Sequence, residues 1–111
     1  MEDAELIWFA SEFREGILDG GSSQMMCWAV SAPLAALLEM HGVETELVEA
    51  DLGDCNHFYL RLPDGRVLDP TADQFNHLRV DPMPAVYLGP PADCHGIAPA
   101  LPRHPMNAEG E

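Results

Sequence analysis

The stretch NHFYLRLPDGRVLDPTADQF, residues 56 to 75, constrains this chain more than any other. HFYLRL alternates, placing Phe58, Leu60 and Leu62 on one face of a strand and His57, Tyr59 and Arg61 on the other. Pro63-Asp64-Gly65 fits a three-residue hairpin loop, a type I turn followed by Gly65 in the left-handed region, and RVLD returns the chain. In that loop Leu62 faces Arg66, so Tyr59 faces Asp69 and His57 faces Thr71. Asp69 then lies diagonal to His57 on the same face, within side-chain reach. A two-residue loop would shift the pairing by one and put the two on opposite faces. A carboxylate against one ring nitrogen fixes the tautomer and leaves the other nitrogen free to take a proton. The structural alternative is that Asp69 caps the turn at Pro70-Thr71 while His57 lines the sheet.

The segments around the hairpin imply an α+β fold, N-terminal helices packed on a short antiparallel sheet. In EDAELIWFASEFREGILDGG, Leu6, Phe9, Ala10, Phe13 and Ile17 recur at helical spacing, and Asp19-Gly20-Gly21 stops the helix. Trp8 lies off that stripe. MMCWAVSAPLAALLEMHG predicts a second helix with Val30, Leu34, Leu37, Leu38 and His41 near one face and Gly42 as terminator. Pro33 leaves two readings open. A helix starting near Met26 carries Pro33 inside it, whereas a cap at Ser31 places Pro33 comfortably in the first turn and Cys27 outside. VETELVEA reads as a strand, LGDCN as a turn, and AVYLG as a further short strand. One domain over residues 1–98 follows, with 99–111, rich in Pro, Ala and polar residues, as a loosely ordered tail.

Composition narrows the function classes. Five arginines and no lysine stand against 19 acidic residues, for a formal charge of -14. A phosphate backbone would be repelled, so nucleic-acid binding is not expected. An acidic field suits a basic peptide or protein, or only solubility. No secretory leader pattern or long apolar run is present, which leads to the expectation of a cytoplasmic protein with no membrane association. Cys27, Cys55 and Cys94 are odd in number and without repeating spacing, which favours free thiols over a disulfide framework.

Cys27 follows a Gly/Ser-rich loop and opens a helical run, where free backbone amides lower a thiol pKa and stabilise an oxyanion. With His57 and Asp69 it supplies nucleophile, base and orienter. Core filler beside Met26 and Trp28 is the plainer role for such a cysteine. A metal site is the other use of these residue types: Cys55 and His57 stand two apart, and Cys94-His95 could approach them. That spacing is looser than the paired spacing of structural zinc sites, so no metal or cofactor is expected. His41 falls at a helix end, and His77, His95 and His104 have no partner readable from the sequence.

CWAVSAPLAALLE resembles the nucleophile helix of papain-like cysteine proteases, and the wider order resembles transglutaminase-like cysteine hydrolases. In those families a cysteine opens a helix, a short element ends in Gly, a strand begins with His, and a return strand ends in Asp-Pro-Thr. Here the order is Cys27, Gly42-Val43, His57 and Asp69-Pro70-Thr71, over residues 22–75. The resemblance implies a catalytic Cys27, His57 and Asp69 that hydrolyse an amide through an acyl-enzyme, as a protease, isopeptidase or protein deamidase. It also implies an oxyanion glutamine, for which Gln24 and Gln74 are the candidates. Trp28, Cys55 and Tyr59 are expected near the site. The expected partner is a peptide or protein substrate, basic if the acidic field selects it, with room for a partner protein completing shallow subsites. The competing function is a non-catalytic acidic protein-binding or inhibitory module on the same fold.

Overall fold

The first helix, α1 (Asp3–Leu18), opens with the Glu2 amide donating to the Glu5 carboxylate at 3.2 Å. Acidic groups in this turn complement the positive end of the helix dipole. The helix ends at Asp19, whose φ of 49° is left-handed and whose N–H returns to the Glu15 carbonyl. These coordinates are a computed structural model, which describes residues 1–53 and 55–95. The tail expected at 99–111 and the end of the expected domain at residue 98 lie outside the described residues.

The inward line of α1 is not quite the predicted one. Leu6, Ala10, Arg14 and Leu18 are buried, Phe9 and Phe13 are partly buried, and Ile17 is exposed. Arg14 is the cause. Its guanidinium binds both carboxylate oxygens of Asp73 at 2.8 Å and donates to the Pro70 and Ala85 carbonyls at 3.0 Å. The bidentate Asp73 pair and the two carbonyls bring a charged residue inward and turn the stripe away from Ile17.

The second helix, α2 (Cys27–Met40), contains Pro33, so the reading with Ser31 as its cap is set aside. An interior proline costs about 3 kcal/mol. Val30, Leu34 and Leu38 are fully buried. At roughly 1.5–3 kcal/mol each they outweigh that cost. Pro33 itself is exposed, away from this buried face. Ser31 is buried, with its hydroxyl donating to the Phe58 carbonyl at 3.3 Å. The helix closes in a Schellman motif. Gly42, at φ 81°, donates to Glu39, and Val43 donates to Leu38.

Four strands follow in the order β1 (Glu46–Asp51), β2 (Asn56–Arg61), β3 (Val67–Asp69) and β4 (Tyr87–Gly89), each antiparallel to its neighbour. The hairpin has the register read from the loop. Leu60 pairs with Leu68, Arg61 pairs with Val67, and Leu62 N–H meets the Arg66 carbonyl at 2.8 Å. Gly65 takes φ 93°, a conformation that a side chain would strain. The helices cover one face of the sheet, where Leu34, Leu38, Leu60 and Leu68 form the centre of the main cluster. The other face is also closed. Val48, Ala50, Tyr59 and Val67 cluster there with Tyr87, and Tyr59 O–H donates to the His95 carbonyl. This is a small α+β fold with N-terminal helices on a short antiparallel sheet, as the sequence implied. Among the described residues no helix is long and apolar enough to cross a membrane.

Asp73 ties three parts of the chain together, because Ser23 in the loop before Cys27 also donates to it, at 2.7 Å. Burial alone would raise its carboxyl, and the hydrogen bonds from Arg14 and Ser23 more than reverse this. Asp73→Ala leaves Arg14 buried without its carboxylate and should lower stability by about 2–4 kcal/mol, read from urea unfolding. The folded-state pKa lies below the unfolded value of about 3.9, so this contribution is present above that pH and is lost on acidification. Asp73→Asn should therefore lose less stability than the native chain between about pH 6 and about pH 3.

Candidate active site

Asp69 ends β3 fully buried, and its carboxylate is saturated with donors. Oδ1 accepts the Thr71 N–H at 3.0 Å; Oδ2 accepts from His57 Nε2 at 2.7 Å and from His95 Nε2 at 2.8 Å. The two open readings of Asp69 are thus both realised: it caps the turn with one oxygen and holds His57 with the other. Burial by itself would raise the Asp69 carboxyl. The charges and hydrogen bonds of the two imidazoles overcome that and hold it well below the usual carboxylate range.

With Nε2 committed to Asp69, Nδ1 is the ring nitrogen left to His57. Gln74 Nε2 stands 2.8 Å from it, while Gln74 Oε1 accepts the Met25 N–H at 3.3 Å. Gln74 is carried by a 3-10 helix, Ala72–Leu78, that follows Asp-Pro-Thr directly. Phe75 from the same turn packs edge-on to the His57 ring, with centroids 5.3 Å apart.

Cys27 is the first residue of α2, and no side chain caps the helix there, so its leading amides keep their donors. The thiol is buried, which pushes its pKa up. Hydrogen bonding from His57, the Phe58 backbone and Gln74, with the charge of His57, brings it net below the ordinary thiol value. The reciprocal effect acts on His57. Burial lowers it, but Asp69 and Cys27 together raise it to about 9. A proton on Nδ1 must displace the Gln74 amide, which as placed suits the neutral ring. That single neutral contact is worth about 1 kcal/mol.

The sequence-derived residues therefore separate by place. Cys27, His57, Asp69 and Gln74 come together. Tyr59 is buried on the His57 face, with ring centroids 5.9 Å apart. Trp28, Cys55 and Gln24 line an open cleft of about 490 Å³ that also contains Cys27. Met25, Phe58, Phe75 and Leu78 give that cleft an apolar character, and no described lining residue is a carboxylate. Gln24 is exposed, its amide 3.5 Å from His77 rather than on His57. Trp8 stands apart, against Phe9, Phe13 and Leu37 in a separate shallow pocket. His95, which the sequence offered with Cys94 as able to approach Cys55 and His57, comes to the His57 face and binds Asp69. It reaches Asp69 only because the chain crosses back after β4, and no local spacing signals that.

His57, Asp69, Cys94 and His95 offer donor atoms within 4.8 Å of one another, a set able in composition to bind a metal. Cys55 is not part of it, contrary to the spacing argument, because it lies exposed ahead of β2. The surrounding bonds oppose metal ligation. A histidine bound through Nε2 carries its proton on Nδ1 and donates it outward. Here Ala92 N–H points at His95 Nδ1 at 2.9 Å, and a backbone amide cannot be reversed. His95 therefore keeps its proton on Nε2 and gives it to Asp69. Burial, then Asp69 and Asp93, push the Cys94 thiol up to about 12.

Comparisons with protein families, with curated proteins and with solved structures find no match for this chain. The structure is a small α+β domain with a clustered Cys/His/Asp set, consistent with a papain-like or transglutaminase-like arrangement.

The contrast between the two buried thiols has a direct consequence. At neutral pH iodoacetamide should modify Cys27 and spare Cys94 in the folded chain, as peptide mass spectrometry would show. Modification of Cys94 ahead of Cys27 would contradict the electrostatic assignment.

Proposed function

We propose that this chain is a cysteine-dependent amide hydrolase acting through Cys27, His57 and Asp69. The observation that carries the reading is the His57 ring, held through Nε2 by a buried carboxylate, with Cys27 at the start of α2 near enough for His57 to lower its thiol pKa. Cys27 gives its proton to Nδ1, and the sulfur attacks the substrate carbonyl carbon. The carbonyl oxygen becomes an oxyanion in reach of the helix-start amides. Gln74, displaced from Nδ1 by the incoming proton, has an N–H free to donate to the same oxygen. Imidazolium then protonates the leaving amine as the C–N bond breaks, leaving a thioester on Cys27. Water, deprotonated by His57, attacks that thioester and releases the acid and the thiolate.

Of the two glutamines, Gln74 is the better oxyanion donor, because it already touches His57 while Gln24 faces His77. The substrate is a peptide or protein amide. Beside the scissile bond the cleft favours apolar groups, since no described lining residue carries a negative charge. Selection for basic residues would fall to the acidic surface farther out. The exposure of Met25 at 92% and Leu78 at 75% favours a second reading, a peptide-binding module without turnover.

A fluorogenic peptide-amide library separates the two. Cys27→Ala should abolish hydrolysis while leaving peptide binding intact, and Asp69→Asn should slow turnover by roughly 10²–10⁴-fold through loss of the correct tautomer. Hydrolysis undiminished in Cys27→Ala would remove the assignment.

A further inference from the structure

Two buried groups beside the proposed triad play no part in it, Cys94 and His95. We propose that His95 is a positioning residue that shares Asp69 Oδ2 with His57, locking the carboxylate and dividing its charge between two imidazoles. Its effect on rate rests on the hydrolase reading; the hydrogen bond does not.

The His95 ring has no freedom to do anything else. It sits on a short 3-10 turn, Asp93–His95, stacked on Tyr87 with centroids 5.7 Å apart and edge-on to Tyr59 at 4.7 Å. Its backbone carbonyl accepts from Tyr59 O–H at 3.0 Å. Nδ1 accepts the Ala92 N–H, so Nε2 must carry the proton it donates to Asp69 at 2.8 Å. Thr71 N–H holds Oδ1 at 3.0 Å, and with three donors the carboxylate cannot rotate away from His57.

The chemical effect is distinct from packing. A second donor on Oδ2 draws off part of the negative charge that would otherwise stabilise a protonated His57. His57 is oriented by a full carboxylate but feels less than its full charge, so it can still release its proton to the leaving amine. The other titratable or charged groups facing this pair are Cys27 from α2, Tyr59 from β2, Tyr87 from β4, and Cys94 beside His95. The Arg79–Asp93 ion pair lies at the surface of the same turn. None of them replaces the His95 donor.

The test compares the native chain, His95→Phe, which keeps a ring and removes the donor, and His95→Gln, whose amide can still donate. Nitrogen NMR of the ring nitrogens should show His95 protonated on Nε2 in the native chain. In His95→Phe the His57 titration should move to higher pH by about one unit, with a return toward the native value in His95→Gln. The alkaline limb of Cys27 alkylation should follow, and hydrolysis should fall roughly tenfold or more in His95→Phe. A His57 titration unmoved in a folded His95→Phe would overturn the proposal. If that variant does not fold, the native tautomer and the His95→Gln titration decide: a proton on His95 Nδ1, or a His95→Gln titration far from native, counts against it. The predicted NMR shift without hydrolysis of any amide would support the positioning role and sink the hydrolase reading instead.

Discussion

A carboxylate with no solvent contact, at the end of a strand of three residues, is the constraint on which this structure depends. Removing such a group from water costs several kcal/mol, and that cost is offset only where every lone pair direction finds a donor. Asp69 takes three donors, one backbone amide and two imidazoles, drawn from the turn after β3, from β2 and from the segment beyond β4. Satisfying one charge therefore fastens the hairpin, the Asp-Pro-Thr turn and the returning chain to each other. Arg14 and Asp73 repeat the device on the helix side, fixing the 3-10 helix that carries Gln74 against α1 and the loop before Cys27. Cys27 and His57 thus sit on separately anchored elements.

The same bonds bear on the two chemistries available to a His/Asp/Cys/His cluster. Composition alone allows a metal. The Ala92 amide bears on that use, because it commits His95 to donating through Nε2. The network's remaining ring nitrogen, His57 Nδ1, faces Gln74, and Cys27 feels the His57 ring. The acidic surface and the apolar cleft then have separate tasks. The net charge of -14 acts at a distance, while the groups nearest Cys27 sort ligands by apolar contact.

Much of this was legible because it is local. Pro63-Asp64-Gly65 set the hairpin register, and the register put His57 and Asp69 on one face. Gly42 and the Asp19-Gly20 pair marked both helix ends. Where long-range contacts decide, local reading fell short. The stripe of α1 turned inward at Arg14 instead of Ile17 because Asp73, 59 residues away, receives the arginine. Propensity left the start of α2 open, and the burial of Val30 with Leu34 resolved it in favour of Cys27. His95 had no spacing relation to the hairpin, since its place comes from how β4 joins β3.

The central claim is that Asp69, acting through His57, brings the Cys27 thiol below its ordinary value. Ultraviolet titration of the thiolate absorbance measures this without any substrate. The Cys27 signal, taken as the difference between the native chain and Cys27→Ala, should appear below the ordinary thiol value of about 8.5. In Asp69→Asn it should move back toward that value. A Cys27 titration at the ordinary value in the native chain, or one indifferent to Asp69→Asn, would contradict the account.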